Sequence, residues 1–233
     1  MKVHFILVEP AVPENIGAAA RALKTMQFSS LRLVNPCDHL HVKARMLAHG
    51  AQDVLENAKI FYSLEAALED VDFSVGTTAK RRSVKFDYHN SDILADIISR
   101  KRDQIGSLGI VFGREESGLT NEELQMCDIA SSIPLEESYP SLNLSQAVMI
   151  YAYLLSPLRI MPREEPEGIA KQDWALLKKK AEEALKILEI DENPNLYYRM
   201  LERLSLVGRE DLNLFLSLFS RINEKIGKRQ EAE

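Results

Sequence analysis

Short apolar runs that stop at Glu-Pro, Asn-Pro or Gly, each followed by a helical pattern, recur about six times over roughly the first 155 residues. Val3 to Val8 is closed by Glu9-Pro10, and Leu31 to Val34 by Asn35-Pro36. Asp72 to Val75 runs into Gly76, Ile110 to Phe112 into Gly113, and a last short strand is expected to end at Pro134. Between them, helices are predicted for Ile16 to Lys24, His39 to Gly50, Ser63 to Leu68 and Asp92 to Arg102. Thr120 and Glu123 form a capping-box pattern for a further helix. Leu144, Ala147, Val148, Tyr151, Ala152 and Leu155 then mark one buried face of another. This alternation implies an α/β fold with a mainly parallel sheet and a ligand site at the strands' carboxyl ends.

Composition narrows the function. The net charge of −6 excludes a basic nucleic-acid binder of the usual kind, so any RNA site must be a local patch. Cys37 and Cys127 are isolated and five scattered His show no metal-ligand spacing, which argues against disulfides and zinc and fits a reducing compartment. The opening MKVHFILVEP is too short an apolar run for a signal peptide, and no later run approaches a membrane span, so a cytoplasmic protein is expected. G-x-G-x-x-G and G-x-x-x-x-G-K-[ST] are missing, as is a nucleophile beside a His. After Leu155 the character changes. Residues 1–160 read as one domain, 161–170 as a linker around MPREEPEG, and 171–233 as a helical extension containing the single Trp174. That extension should pack on the core or on a partner.

Four stretches carry candidate chemistry. In VEPAVPENIGAAARALKTMQF, Asn15 sits where an N-cap belongs, and Gly17 and the alanines would let another backbone approach. Arg21 and Lys24 share a face there, either as solvated charges or as cations offered to a phosphate or ribose. GTTAKRR ends a strand in Gly76, Thr77, Thr78 and Ala79 before Lys80, Arg81, Arg82 and Lys85, a solvated face or an RNA contact. In LGIVFGREESGLTNEEL, Gly113 would permit close approach of a ligand. Arg114, Glu115 and Glu116 either pair within the loop or position a substrate or subunit. In IPLEESYPSLNLSQAV, the helix start at Ser141, Leu142 and Asn143 could hold a polar ligand on its unpaired N–H groups, or be an ordinary strand-turn-helix.

ENIGAAARALKT, VFGREESGLTNEEL and IPLEESYPSLNLSQAV, in this order and with GTTA between the first two, closely resemble the three motifs of the SpoU-TrmH branch of the SPOUT RNA methyltransferases. The helical C-terminus resembles the TrmJ-like tRNA/rRNA 2′-O-methyltransferases. The match covers about residues 1–157 strongly. It departs at Glu14, where many relatives have Gly, which places a negative charge near the expected RNA face. The resemblance implies a trefoil knot over roughly Leu108 to Leu155, a homodimer, and S-adenosylmethionine as cofactor. The cofactor contacts it implies are Thr77, Thr78, Ala79, Gly113, Ile133, Ser141, Leu142 and Asn143. It also implies Arg21 as the central catalytic residue, with Asn15, Glu115, Ser141 and Asn143 around the acceptor ribose. Arg21 would act as general base in the family's proposal, or by stabilising the developing alkoxide while phosphate or water takes the proton. RNA would contact Arg21, Lys24, Lys80, Arg81, Arg82 and Lys85.

The expected function is therefore S-adenosylmethionine-dependent 2′-O-methylation of RNA ribose, with tRNA the substrate and anticodon-loop position 32 the target by analogy. The alternatives are an rRNA 2′-O-methyltransferase, a non-catalytic RNA-binding relative, and a knotted enzyme methylating a base nitrogen.

Overall fold

The computed structural model describes residues 1–79, 88–101, 104–135, 142–160, 171–207 and 209–230. Its centre is β1 (Lys2–Val8), in which Phe5, Ile6 and Leu7 are fully buried. Phe5 and Leu7 enter one apolar cluster while Ile6 and Val8 enter another, as side chains alternating across a sheet must. A strand covered on both faces reads as a continuous apolar run, which is why β1 is visible in sequence.

Around it stand β2 (Leu31–Val34), β3 (Lys59–Phe61), β4 (Phe73–Thr77), β5 (Tyr88–Asn90), β6 (Ser107–Phe112) and β7 (Ile129–Ser132). Among the described residues these seven strands form one sheet in the order β3-β2-β1-β6-β4-β7-β5, and each pairing is parallel. All carboxyl ends therefore lie on one edge. β6 enters a slot between β1 and β4, and β7 a slot between β4 and β5, so two late strands complete a sheet begun by early ones.

One face is covered by α1 (Pro13–Thr25), α2 (Val42–Leu47), α3 (Gln52–Glu56), α5 (Leu94–Arg100), α7 (Leu144–Leu155) and α8 (Pro157–Ile160). The other is covered by α4 (Leu64–Leu68) and α6 (Asn121–Met126). α6 carries the expected capping box, with Thr120 accepting from the Glu123 N–H and Glu123 accepting from the Thr120 N–H.

Several boundaries differ from expectation. The pattern at His39 to Gly50 yields only the six residues of α2, with His41 as its N-cap. Asp92 to Arg102 yields a 3-10 turn, Ser91–Ile93, followed by α5. The strand expected to end at Pro134 ends at Ser132. β3 and β5 were not anticipated, because three residues on or near an edge carry no usable periodicity.

Gly17 meets its expectation: a Cβ there would lie 2.0 Å from the Ala44 carbonyl oxygen, so its absence sets how closely α1 and α2 pack. Arg32, 1 % exposed, makes a bidentate pair with Asp70 and donates from Nε to His4 Nδ1 at 3.1 Å.

The C-terminal helices α9 (Lys171–Ile187), α10 (Pro194–Ser205) and α11 (Arg209–Gln230) share their own apolar cluster, including Trp174, Leu177, Leu204 and Phe219. They touch the sheet's amino edge. Lys178 donates to Asp128 at 3.2 Å, and Lys101 Nζ lies 4.5 Å from the Trp174 ring centroid while donating to the Val207 carbonyl.

Candidate active site at the carboxyl edge of the sheet

The local chain around Asn15 departs from expectation. Val12 is the N-cap of α1 and Pro13 its first residue, so Asn15 lies inside the first turn and caps nothing. Proline suits that first position because its missing N–H would be unpaired anyway. The Asn15 side chain, 7 % exposed, is thereby released for long-range contacts.

It makes two. Asn143 Nδ2 donates to Asn15 Oδ1 at 2.8 Å, and Asn15 Nδ2 donates to Glu115 Oε1 at 2.9 Å. Both amide orientations are settled by their other bonds. Asn143 Oδ1 accepts from the Ser145 N–H at 2.9 Å and from Ser145 Oγ at 2.7 Å, which leaves Nδ2 to point at Asn15. Glu115 also accepts from the N–H groups of Ala11, at 3.1 Å, and Val12, at 3.3 Å. These two donors lie between Pro10 and Pro13, which have none. One chain of hydrogen bonds thus joins the start of α7, the first turn of α1 and the loop after β6.

Burial works to raise the Glu115 pKa, but the bonds from Asn15, Ala11 and Val12 outweigh it and hold the carboxyl below the usual range. An ionised carboxylate with three donors on it is a poor proton acceptor and a good anchor. Asn143 is the N-cap of α7 and forms a capping box with Gln146, worth about 1 kcal/mol to the helix.

Arg114, whose partners were not foreseen, locks the same loop. Its guanidinium donates twice to Glu123, at 2.9 and 3.0 Å, and once to Glu9 at 2.8 Å. These carboxylates push its pKa up. The ion pairing expected inside the loop instead leaves it in two directions, and Glu116 stays exposed. The legible signal was Glu123, already committed to the capping box yet with room for a fork of donors.

Gly113 is crowded by its own chain. A Cβ there would lie 2.0 Å from the Gly118 carbonyl carbon and 2.1 Å from the Leu119 nitrogen. The loop's own return, bridged by Arg114 and Gly118, therefore already demands glycine at this position.

Gly113, Thr77 and Ile133 follow or end β6, β4 and β7, three adjacent strands at the same edge. Thr77 Oγ1 donates to the Val111 carbonyl at 2.9 Å, and the Thr78 N–H to the Ser131 carbonyl at 3.0 Å. Ala79 is exposed, and Ile133 and Leu142 are half-buried. Ser141, Lys80, Arg81, Arg82, Lys85 and the linker at 161–170 lie outside the described residues.

The structure does not bring Arg21 to Asn15. Six residues along α1 place it about 9 Å further down the axis and about 120° around. It is exposed on the strip shared with Glu14 and Ala18. Lys24, expected to face RNA, is paired with Asp53 at 2.5 Å, and the unusual Glu14 is paired with Lys43 at 2.9 Å. Among the described residues, no group of three His, Cys, Asp or Glu could hold a metal, and no helix is long and apolar enough to cross a membrane.

The family described as SpoU rRNA methylase matches residues 2–153. The chain belongs to that family. A relative from Escherichia coli named uncharacterized tRNA/rRNA methyltransferase LasT is 40% identical, covering 98% of this chain and 100% of its own. A tRNA (cytidine/uridine/adenosine-2′-O-)-methyltransferase TrmJ from Pseudomonas aeruginosa is 33% identical over 97% of this chain and 86% of its own. The crystal structure of TrmJ from Z. mobilis superposes with a TM-score of 0.67 at 25% identity, covering 96% of this chain and 100% of that one.

Proposed function

We propose that this protein transfers a methyl group from S-adenosylmethionine to a ribose 2′-hydroxyl of tRNA, with anticodon-loop position 32 as the target by analogy. The observation that carries the reading is the Asn143–Asn15–Glu115 chain, which ties the three family motifs together at one sheet edge. The relative from P. aeruginosa, named for 2′-O-methylation of tRNA, supports the substrate.

The residues at this edge suit the cofactor. Thr77, Thr78, Ala79, Gly113, Ile133 and Leu142 are uncharged, and several are half-buried, as an adenosine moiety requires. Bound there, S-adenosylmethionine supplies an activated methyl group. Asn143 orients the start of α7 toward that edge, and Glu115 holds Asn15. Arg21 approaches the acceptor from a second subunit, because its own chain keeps it turned away from Asn15. Exposed Tyr153 on α7 suits a surface covered in such a homodimer. The slotted β6 and β7 suit a chain threaded as a trefoil knot. Residues 1–160 form the catalytic unit, 161–170 the linker and 171–233 the extension, in keeping with the separate apolar cluster of α9 to α11.

The test is nucleoside analysis of RNA from a deletion strain before and after treatment with purified protein and S-adenosylmethionine. A new ribose-methylated nucleoside in tRNA is expected. The same product in rRNA would move the substrate, a base-methylated product would move the chemistry, and none would refute the enzyme.

A further inference from the structure

At the carboxyl ends of β2 and β3, on the same edge as the candidate site, a cleft of about 360 Å³ opens between Asn35, Asp38, His39 and Tyr62. Tyr62 is 90% exposed. An aromatic ring is normally at least partly covered, and the backbone that carries this one is braced. The Asn35 N–H donates to the Phe61 carbonyl and Asn35 Nδ2 to the Tyr62 carbonyl, each at 3.0 Å. Asn35 adopts φ 43°, a left-handed conformation that this bracing sustains. Ile60 is also exposed, at 46%.

Resting on the function proposed above, we infer that this cleft receives an unpaired nucleobase a few nucleotides from the methyl acceptor, with Tyr62 as its stacking wall. Three features favour a base over a phosphate or a protein. Among the described residues the lining holds no Lys or Arg and one carboxylate, Asp38, which repels phosphate but accepts from the amino and imino groups of bases. An exposed aromatic on a braced backbone is what single-stranded RNA recognition uses, because every base has a face to stack. The position is also right. β3 lies two strand spacings from β1, about 10 Å, and three to five from β6, β4 and β7, about 14–24 Å, a span that a few nucleotides of RNA crossing the edge can cover. Between them, α2 packs on α1 through Gly17, one turn before Arg21.

The experiment compares Tyr62→Ala, Tyr62→Phe, Tyr62→Trp and Tyr62→Leu in methylation of tRNA from a deletion strain. Loss of one stacked base should raise KM for tRNA roughly 5- to 100-fold in the Ala and Leu variants. Their kcat and S-adenosylmethionine affinity should stay within about twofold, and the Phe and Trp variants should match wild type, since a planar face is needed and the hydroxyl is not. Binding of fluorescein-labelled hexacytidylate, measured without cofactor, should weaken in the same order. An unchanged KM with intact turnover would overturn the inference alone. So would full rescue by Leu, or a shift of the sedimentation profile in Tyr62→Ala, either of which marks a protein-docking patch. If wild type methylates no RNA yet binds hexacytidylate through Tyr62, the proposed function falls and the stacking cleft stands.

Discussion

At the scale of single residues, the carboxylate of Glu115 and the imidazole of His4 have opposite jobs, and each makes a prediction. Glu115 accepts three hydrogen bonds and stays ionised, so Glu115→Gln would turn an amide donor either toward Asn15 and the Val12 N–H or toward the Ala11 N–H. We expect kcat to fall about 10- to 100-fold, the loss typical of misplacing catalytic groups, with the pH dependence of the remaining activity unmoved. Loss of a limb from the pH–rate profile would instead make Glu115 the base. His4 is kept neutral by burial and by the Arg32 guanidinium, which take its pKa from 6.5 down to about 4. Between those values the unfolded chain binds a proton that the folded chain refuses, so stability falls as pH drops from 6.5 to 4 and levels off below. The two pKa values correspond to about 3 kcal/mol. Urea unfolding at steps from pH 7 to 4 should show that decline, and His4→Asn should flatten it.

At the scale of elements, two glycines have no room to change. Gly17→Ala would drive a methyl group into the Ala44 carbonyl and force α1 from α2, at about 1–3 kcal/mol in urea unfolding. Gly113→Ala would do the same to the return of the loop after β6, and should reduce methyl transfer because Glu115 sits in that loop. By contrast, a Cβ at Gly50 meets nothing within 4 Å, though its φ of 76° makes Gly50→Ala mildly strained. Retention of both stability and activity in Gly113→Ala would contradict the packing. These elements also show what could be read from sequence. β1, β2 and the α6 capping box were legible because each is encoded within a few neighbouring residues. β3 and β5 were not, since three-residue strands borrow their conformation from the neighbours they pair with. The importance of Asn15 was legible but its mechanism was not: its partners are 100 and 128 residues away, and a local rule assigned it to capping. Arg32 is one polar residue in an apolar run, and only the fold supplies Asp70 and His4.

At the scale of the whole molecule, the proposed dimer makes a complementation prediction. Arg21→Ala should abolish most methyl transfer while sparing cofactor affinity, and Arg21→Lys should rescue poorly because an ammonium lacks the planar fork. Asn143→Ala should weaken cofactor binding as well. If Arg21 of one subunit serves the cofactor edge of the other, heterodimers of the two variants hold one doubly damaged site and one intact site. Mixed subunits should then recover part of the wild-type rate; heterodimers that form and remain inactive would exclude the shared site. The slotting of β6 between β1 and β4 has a further consequence, for a chain made from one end. β1 leaves the ribosome early, and β2 soon covers one of its flanks. Its other flank waits until residues 107–112 have been synthesised, and β4 waits beside it. Throughout that interval the edges of β1 and β4 that β6 will join lack their partner strand, and such edges are open to pairing with a neighbouring nascent chain. Slowing synthesis between β4 and β6, or withdrawing chaperone cover during it, should therefore lower the yield of folded protein.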